Sequence, residues 1–137
     1  MKKLTLIIAL VLFYSVNAIS QSNYKVVFDL TSKDTTDHKL ALRWANEVLK
    51  ADPNAQVEIV LFGQSLAMIA KDKSVVADAI TKLSANKNAA VKVCRVAMNA
   101  HNIEESQLVP GVQIVPDGIY EIISKQRQGW GYIKVSH

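Results

Sequence analysis

Ala89-Ala90-Val91-Lys92-Val93-Cys94-Arg95-Val96-Ala97-Met98-Asn99-Ala100-His101 is the stretch that decides the fold. Its first six residues are small or β-branched and read as a strand. From Arg95 to His101 the residues suit a helix that starts with no loop in between, and Asn102 ends it. A strand that runs directly into a helix is half of a βαβ unit. It leaves Cys94 at the carboxyl end of the strand and the amino end of the helix.

The same alternation continues in both directions. Upstream, Tyr24–Leu30 and Val57–Phe62 are strand-like and nearly continuous in apolar character, as suits strands buried on both faces. Between them Leu40, Ala41, Trp44, Ala45, Val48 and Leu49 recur at helical spacing on a helix ending near Lys50. Ser65–Ala70 reads as a short helix. A second runs from about Ser74 to Leu83, with Val76, Ile80 and Leu83 as its stripe. Downstream, Ile103–Leu108 makes another turn or two, and Pro110-Gly111 turns into a short strand, Val112–Val115. Pro116 opens a helix with the stripe Ile119, Ile122 and Ile123, Gly129 stops it, and Tyr132–Val135 is a last strand. Five strands separated by helices predict a three-layer α/β/α sandwich on a five-stranded parallel sheet, with right-handed crossovers, in one domain.

The first twenty residues read as an export signal rather than as fold. Lys2 and Lys3 precede an uncharged, mostly apolar run of 13 residues, Leu4–Val16, and small residues follow at Ala18 and Ser20. A membrane span needs roughly 20 apolar residues, so the pattern is that of a cleaved signal peptide, residues 1–20. Cleavage after Ser20 is expected, with Ala18 as the second choice. Residues 21–137 then form the mature domain, in the periplasm or outside the cell, with no membrane attachment after cleavage. Loss of Lys2 and Lys3 leaves 14 basic against 12 acidic side chains, a net charge of +2. The lysines are scattered and not interleaved with aromatics, which argues against a nucleic-acid partner.

One cysteine in an exported chain cannot form an internal disulfide. It is a buried inert thiol, an intermolecular bridge or a reactive group. With three scattered histidines it offers no ligand cluster, so no metal and no cofactor are expected. Ligands of open parallel sheets bind outside the carboxyl ends of the strands. The junctions there are Asp29–His38, Gly63–Ser65, Cys94–Asn99 and Pro116–Gly118. Cys94 is the candidate catalytic residue. The free N–H groups of the following helix and the cation of Arg95 would favour its thiolate, although a small buried thiol packing as an apolar residue fits the position equally well. Asp29, His38, Gly63, Arg95 and Asn99 are the candidate binding residues. Asp29 has the blander role of bonding loop N–H groups, and His38 faces the same rim from the first long helix. His101 lies roughly 10 Å from Cys94 by helical rise, so no direct Cys–His bond is expected, and His137 reads as a free end. Trp44 reads as core; Trp130 and Tyr132 fit either core or a subunit contact. No Gly-rich phosphate loop or nucleophile-elbow serine is present.

Five segments taken in order resemble a known family: residues 26–30 (Val-Val-Phe-Asp-Leu), 57–63 (Val-Glu-Ile-Val-Leu-Phe-Gly), 91–100, 108–122 (from Leu-Val-Pro-Gly-Val to Tyr-Glu-Ile) and 126–134 (Gln-Arg-Gln-Gly-Trp-Gly-Tyr-Ile-Lys). The chain is similar to the DsrE/DsrF-like family, in its branch of small, often exported proteins, from Tyr24 to Val135. The resemblance implies the same α/β/α sandwich, assembled as a homo-oligomer, trimer or hexamer. It also implies sulfur-relay chemistry, in which a cysteine matching Cys94 accepts sulfane sulfur as a persulfide and passes it to a partner. The characterised relays are cytoplasmic, so an exported copy would need a different protein donor or acceptor. Two functions stay open: a sulfur carrier of the sulfurtransferase type acting through Cys94, or a non-catalytic small-ligand-binding or oligomeric module in which the thiol is incidental. The export reading predicts that the protein from its native host begins at Gln21. Intact-mass analysis that finds Met1 retained would overturn it.

Overall fold

The computed structural model describes residues 24–137. The expected signal peptide and the new terminus at Gln21 lie outside the described residues. Five strands, β1 Lys25–Leu30, β2 Gln56–Leu61, β3 Ala89–Cys94, β4 Gln113–Val115 and β5 Gly131–Lys134, alternate with four helices. These are α1 Thr35–Ala51, α2 Ala77–Ser84, α3 Arg95–Ala100 and α4 Gly118–Arg127. Every strand pair is parallel, in the order β4-β3-β2-β1-β5. The chain therefore steps outward from β1 to β4, then crosses back to place β5 on the other side of β1. Right-handed crossovers in two opposite directions send the helices to opposite faces. The reversed step leaves α4 to cover the second face by itself.

The two faces differ in chemistry because side chains alternate along each strand. Val26, Phe28 and Leu30, Val57, Ile59 and Leu61, with Val91 and Val93, build the main core beneath α1 and α2. Trp44 of α1 packs partly buried on Phe28, ring centroids 6.4 Å apart. The face under α4 holds only Val27, Val60 and Ile122 as a small apolar cluster, with Phe62 and Trp130 against it. Beside that cluster the strands present Glu58 and Lys92. Glu58 is 2% exposed, and its Oε2 lies 2.9 Å from Lys92 Nζ and 3.0 Å from Lys125 Nζ. Lys92 Nζ also donates to Glu121 Oε1 at 2.8 Å. Lys125 in turn sits 4.4 Å over the Trp130 ring.

This quartet explains a departure in α4. The expected stripe of Ile119, Ile122 and Ile123 does not face the sheet: Ile122 is buried, while Ile119 is 58% and Ile123 47% exposed. The face that does is Gly118, Glu121, Ile122 and Lys125, at the spacing i, i+3, i+4, i+7. The helix has turned its charges inward to meet those on β2 and β3. Burial pushes the Glu58 carboxyl up, against the bonds from Lys92 and Lys125 that pull it down. Burial works the same way on Glu121, but Lys92 and the other neighbours outweigh it and hold that group below its ordinary value. Glu58 Oε1 has no hydrogen-bond partner among the described residues.

Other departures are local. The helix expected over Ser65–Ala70 is a single 3-10 turn, Ser65–Met68, and Glu105–Gln107 is another. α2 begins only at Ala77, after Val76 at the N-cap without a side-chain cap. Asn102 takes φ +53 after α3, the left-handed residue that ends a helix. His137 is no free end: its Nδ1 is 2.9 Å from Asp37 Oδ1, and this bond raises the imidazole pKa above its ordinary value.

If the quartet holds α4 down, Lys92→Ala leaves Glu58 with one cation in a buried site. We expect a loss near the lower end of the roughly 3–5 kcal/mol that breaking a buried ion pair costs, read from urea melts. A loss within experimental error would mean that the apolar cluster alone fixes α4.

Candidate active site at the carboxyl ends of the strands

Cys94 is the last residue of β3 and the N-cap of α3, in extended conformation, and its sulfur accepts no capping hydrogen bond. The thiol is 5% exposed. It faces a cleft of about 270 Å³ with three walls. The end of β2 and its turn supply Phe62, Gly63 and Gln64. α3 supplies Val96, Ala97 and Ala100, with His101 at its C-cap. The start of α4 supplies Asp117 and Ile119. The walls are chiefly apolar.

Gly118 gives the thiol its room. A Cβ at this position would stand 3.1 Å from the Cys94 Cβ and 3.3 Å from Phe62 Cδ1. Only a residue without a side chain lets the first turn of α4 close over β3 at that distance. Asp117 fixes the turn by accepting the Tyr120 N–H at 3.0 Å. Gly63 follows Phe62 with φ +63, in the left-handed region that glycine tolerates. Buried Ser65 holds the same turn, its Oγ within 2.9 Å of both Leu30 O and Phe62 O.

Of the residues expected at the site, the structure brings Cys94 and Gly63 together in this cleft. The others lie elsewhere. Arg95 turns away to pair with Glu105, so its cation does not reach the thiol wall. Asn99 is exposed on α3 and does not line the cleft. His38 is buried in α1, where Nε2–H donates to Ser32 O at 3.0 Å and pins the β1–α1 loop. Asp29 bonds side chains rather than loop N–H groups. It accepts Tyr132 O–H at 2.6 Å and Lys134 Nζ at 2.9 Å, and this bond pushes the Tyr132 phenol up to about 12. Neither Asp29 nor His38 lines the cleft.

His101 enters the site instead. Its Nε2 is 2.8 Å from Gly63 O, a bond that spans the cleft from the end of α3 to the end of β2. The sequence carried a signal for this: a separation of seven places Cys94 and His101 on one helical face, two turns apart. Cys94, His101 and Asp117 share one cleft, yet their hydrogen bonds do not form a relay, because the imidazole is bonded to Gly63 and the carboxylate to the α4 backbone. Among the described residues no group of three His, Cys, Asp or Glu is placed to hold a metal ion, and no helix is long and apolar enough to cross a membrane.

A parallel five-stranded α/β/α sandwich with a cysteine at the β3–α3 junction defines a narrow class. The family model of the DsrE/DsrF-like family matches residues 25–135, and the chain belongs to that family. No curated protein sequence matches it. Among solved structures, it is similar to the protein of unknown function MTH1491 from Methanobacterium thermoautotrophicum, with 22% identity over 81% of this chain and 98% of that one, TM-score 0.76. The ychN protein from E. coli matches at 15% identity over 82% and 98%, TM-score 0.68. BT1422 from Bacteroides thetaiotaomicron, a conserved protein of unknown function, matches at 15% over 87% and 100%, TM-score 0.58. At these identities the likeness is one of fold.

The close approach at Gly118 yields a direct test. Gly118→Ala should shrink the cleft and slow alkylation of Cys94 by iodoacetamide, at an overpacking cost of about 1–3 kcal/mol. Wild-type alkylation with unchanged stability would show that the cleft does not depend on this contact.

Proposed function

We propose that the protein is a sulfur carrier in which Cys94 accepts sulfane sulfur as a persulfide and passes it to a partner. The observation that carries this reading is the thiol at the base of an apolar cleft on the carboxyl edge of the sheet, in a chain of the DsrE/DsrF-like family. The thiolate attacks the sulfane sulfur of a donor persulfide. A new S–S bond forms as the donor's S–S bond breaks, and the donor leaves as a thiolate. The step is redox-neutral and reverses toward an acceptor thiol. An apolar lining suits it, because it shields the persulfide from charged reductants.

The carrier is further proposed to act after export, on the reading of residues 1–20, and as a trimer or hexamer. Members of the family form oligomers, and the outer side of α4 offers Ile119, Tyr120 and Ile123 exposed together. The competing reading, a module that binds a small ligand, draws on the same cleft, whose walls are chiefly apolar.

Mass spectrometry after incubation with a sulfane-sulfur donor separates the two readings. The carrier should gain a sulfur atom that a reductant removes, and Cys94→Ser should gain none while keeping its fold. A wild-type protein that takes up no sulfur, or that retains a co-purifying small molecule in the cleft, would favour the binding module.

A further inference from the structure

The face of the sheet under α4 carries a second cleft, at the end of that helix away from Cys94. α4 covers this face by itself, and beside its last turn the first residues of β2, β3 and β4 lie uncovered. Register partners in a parallel sheet point their side chains to one face. Glu58 pairs with Ala90 and Lys92 with Gln113. These four, with Gln56 two places before Glu58, form one floor. The loop before β3 and the end of α4 raise its walls, with Lys87 on one side and Lys125 and Trp130 on the other. The space between is about 300 Å³, at the lower end of the range for ligand pockets.

The cleft is built to hold something. Ala90 puts only a methyl group beside Glu58, where a longer side chain would fill the floor. The rim is fixed, because Asn88 Nδ2 donates to Pro53 O and Asn88 O accepts the Val57 N–H, both at 2.9 Å. Glu58 is the telling residue. It lines the cleft and is 2% exposed, and both of its lysines bond to Oε2. Oε1 is left without a hydrogen-bond partner among the described residues. A buried acceptor without a donor costs free energy that a ligand's hydroxyl group would recover.

Charge and polarity define the ligand. Lys87, Lys92 and Lys125 face Glu58 in the lining, and Glu121 stands behind Lys92, so three cations meet two carboxylates. The excess favours an anion. Each ammonium group has three N–H donors, more than Glu58 and Glu121 engage. Gln56 and Gln113 add amides that both donate and accept, as hydroxyl groups also do. A bare oxyanion would satisfy the lysines but would bring no donor to Glu58.

We propose that this cleft binds a small hydroxylated carboxylate, a sugar acid or hydroxy acid, its carboxylate among the lysines and a hydroxyl donating to Glu58 Oε1. The site is separate from Cys94 and does not rest on the sulfur-carrier reading.

The test is a titration of the whole protein with D-glucuronate, D-gluconate and L-tartrate, followed by nuclear magnetic resonance. The readouts are the Trp130 indole N–H, identified by its loss in Trp130→Phe, and the amides of Ala90 and Gln113. At least one of the three acids should shift these signals saturably, while acetate and D-glucose shift them far less. Ala90→Leu should abolish the saturable shift by filling the floor. Lys87→Ala and Gln113→Ala change exposed rim positions, so their melts should match wild type, and Lys87→Ala should weaken binding by roughly three- to fivefold. No saturable shift with any of the three acids would overturn the proposal. So would acetate matching them, since the lysines would then be meeting any carboxylate, or an unchanged titration in Ala90→Leu. Cys94→Ser should bind as wild type does, so persulfide uptake and this site can fail independently.

Discussion

The site depends on how α4 is held to the sheet. A helix that covers one face of a sheet alone would ordinarily do so with an apolar stripe. Here Ile122 is the one large apolar side chain that α4 buries, and two carboxylates and two lysines do the rest. Buried charges are costly to desolvate and repay that cost only when geometry and pairing are good. Such a contact gains little net stability but tolerates little displacement, since a shift that would cost an apolar stripe a fraction of its contacts leaves an ion unpaired. That intolerance fixes the rotation of α4 and the height of its first turn above β3. Gly118 then meets Cys94, and Asp117 reaches the cleft.

The environment of the thiol follows from the same arrangement. Cys94 does stand at the start of a helix, but Arg95 pairs with Glu105 instead of lying beside the thiol. α3 has only six residues, and the guanidinium of Arg95 is engaged across the surface. The thiol faces apolar walls, one carboxylate and one imidazole.

Much of the architecture was legible in the sequence because it rests on alternation. Strand and helix periods differ, and β3 with the start of α3 falls at Ala89–Cys94 and Arg95 as the residues suggest. The charged face was not legible. Glu58 and Lys92 each interrupt an apolar run, and a charge in the middle of a strand reads as an exposed position or an irregularity. Only the register that sets Val60 between Asp29 and Lys92, and Glu58 beside Val27, shows that Glu58 and Lys92 share the face that α4 covers. The Ile119, Ile122 and Ile123 stripe failed for the same reason, since hydrophobic periodicity cannot see that the facing surface is ionic. Asp29 and His38 lie at the correct edge of the sheet, but their partners, Tyr132 and the Ser32 carbonyl, are set by tertiary contacts that no local pattern encodes. His101 was discounted on distance along the helix, whereas its direction was the informative quantity.

The strand order has a further consequence for how the molecule comes together. β1 lies between β2 and β5, so the first strand of the domain finds its second neighbour only in the last. The Tyr132–Asp29 hydrogen bond joins residues 103 apart. Until that partner arrives, β1 is an unfilled edge with its backbone groups facing solvent, and closing so long a loop has to precede any reward from the contacts it creates. Folding of this chain is therefore weighted toward its final step. A nascent polypeptide that lacks residues 131–134 keeps β1 as an open, sticky edge of its sheet and is the species most exposed to pairing with another chain.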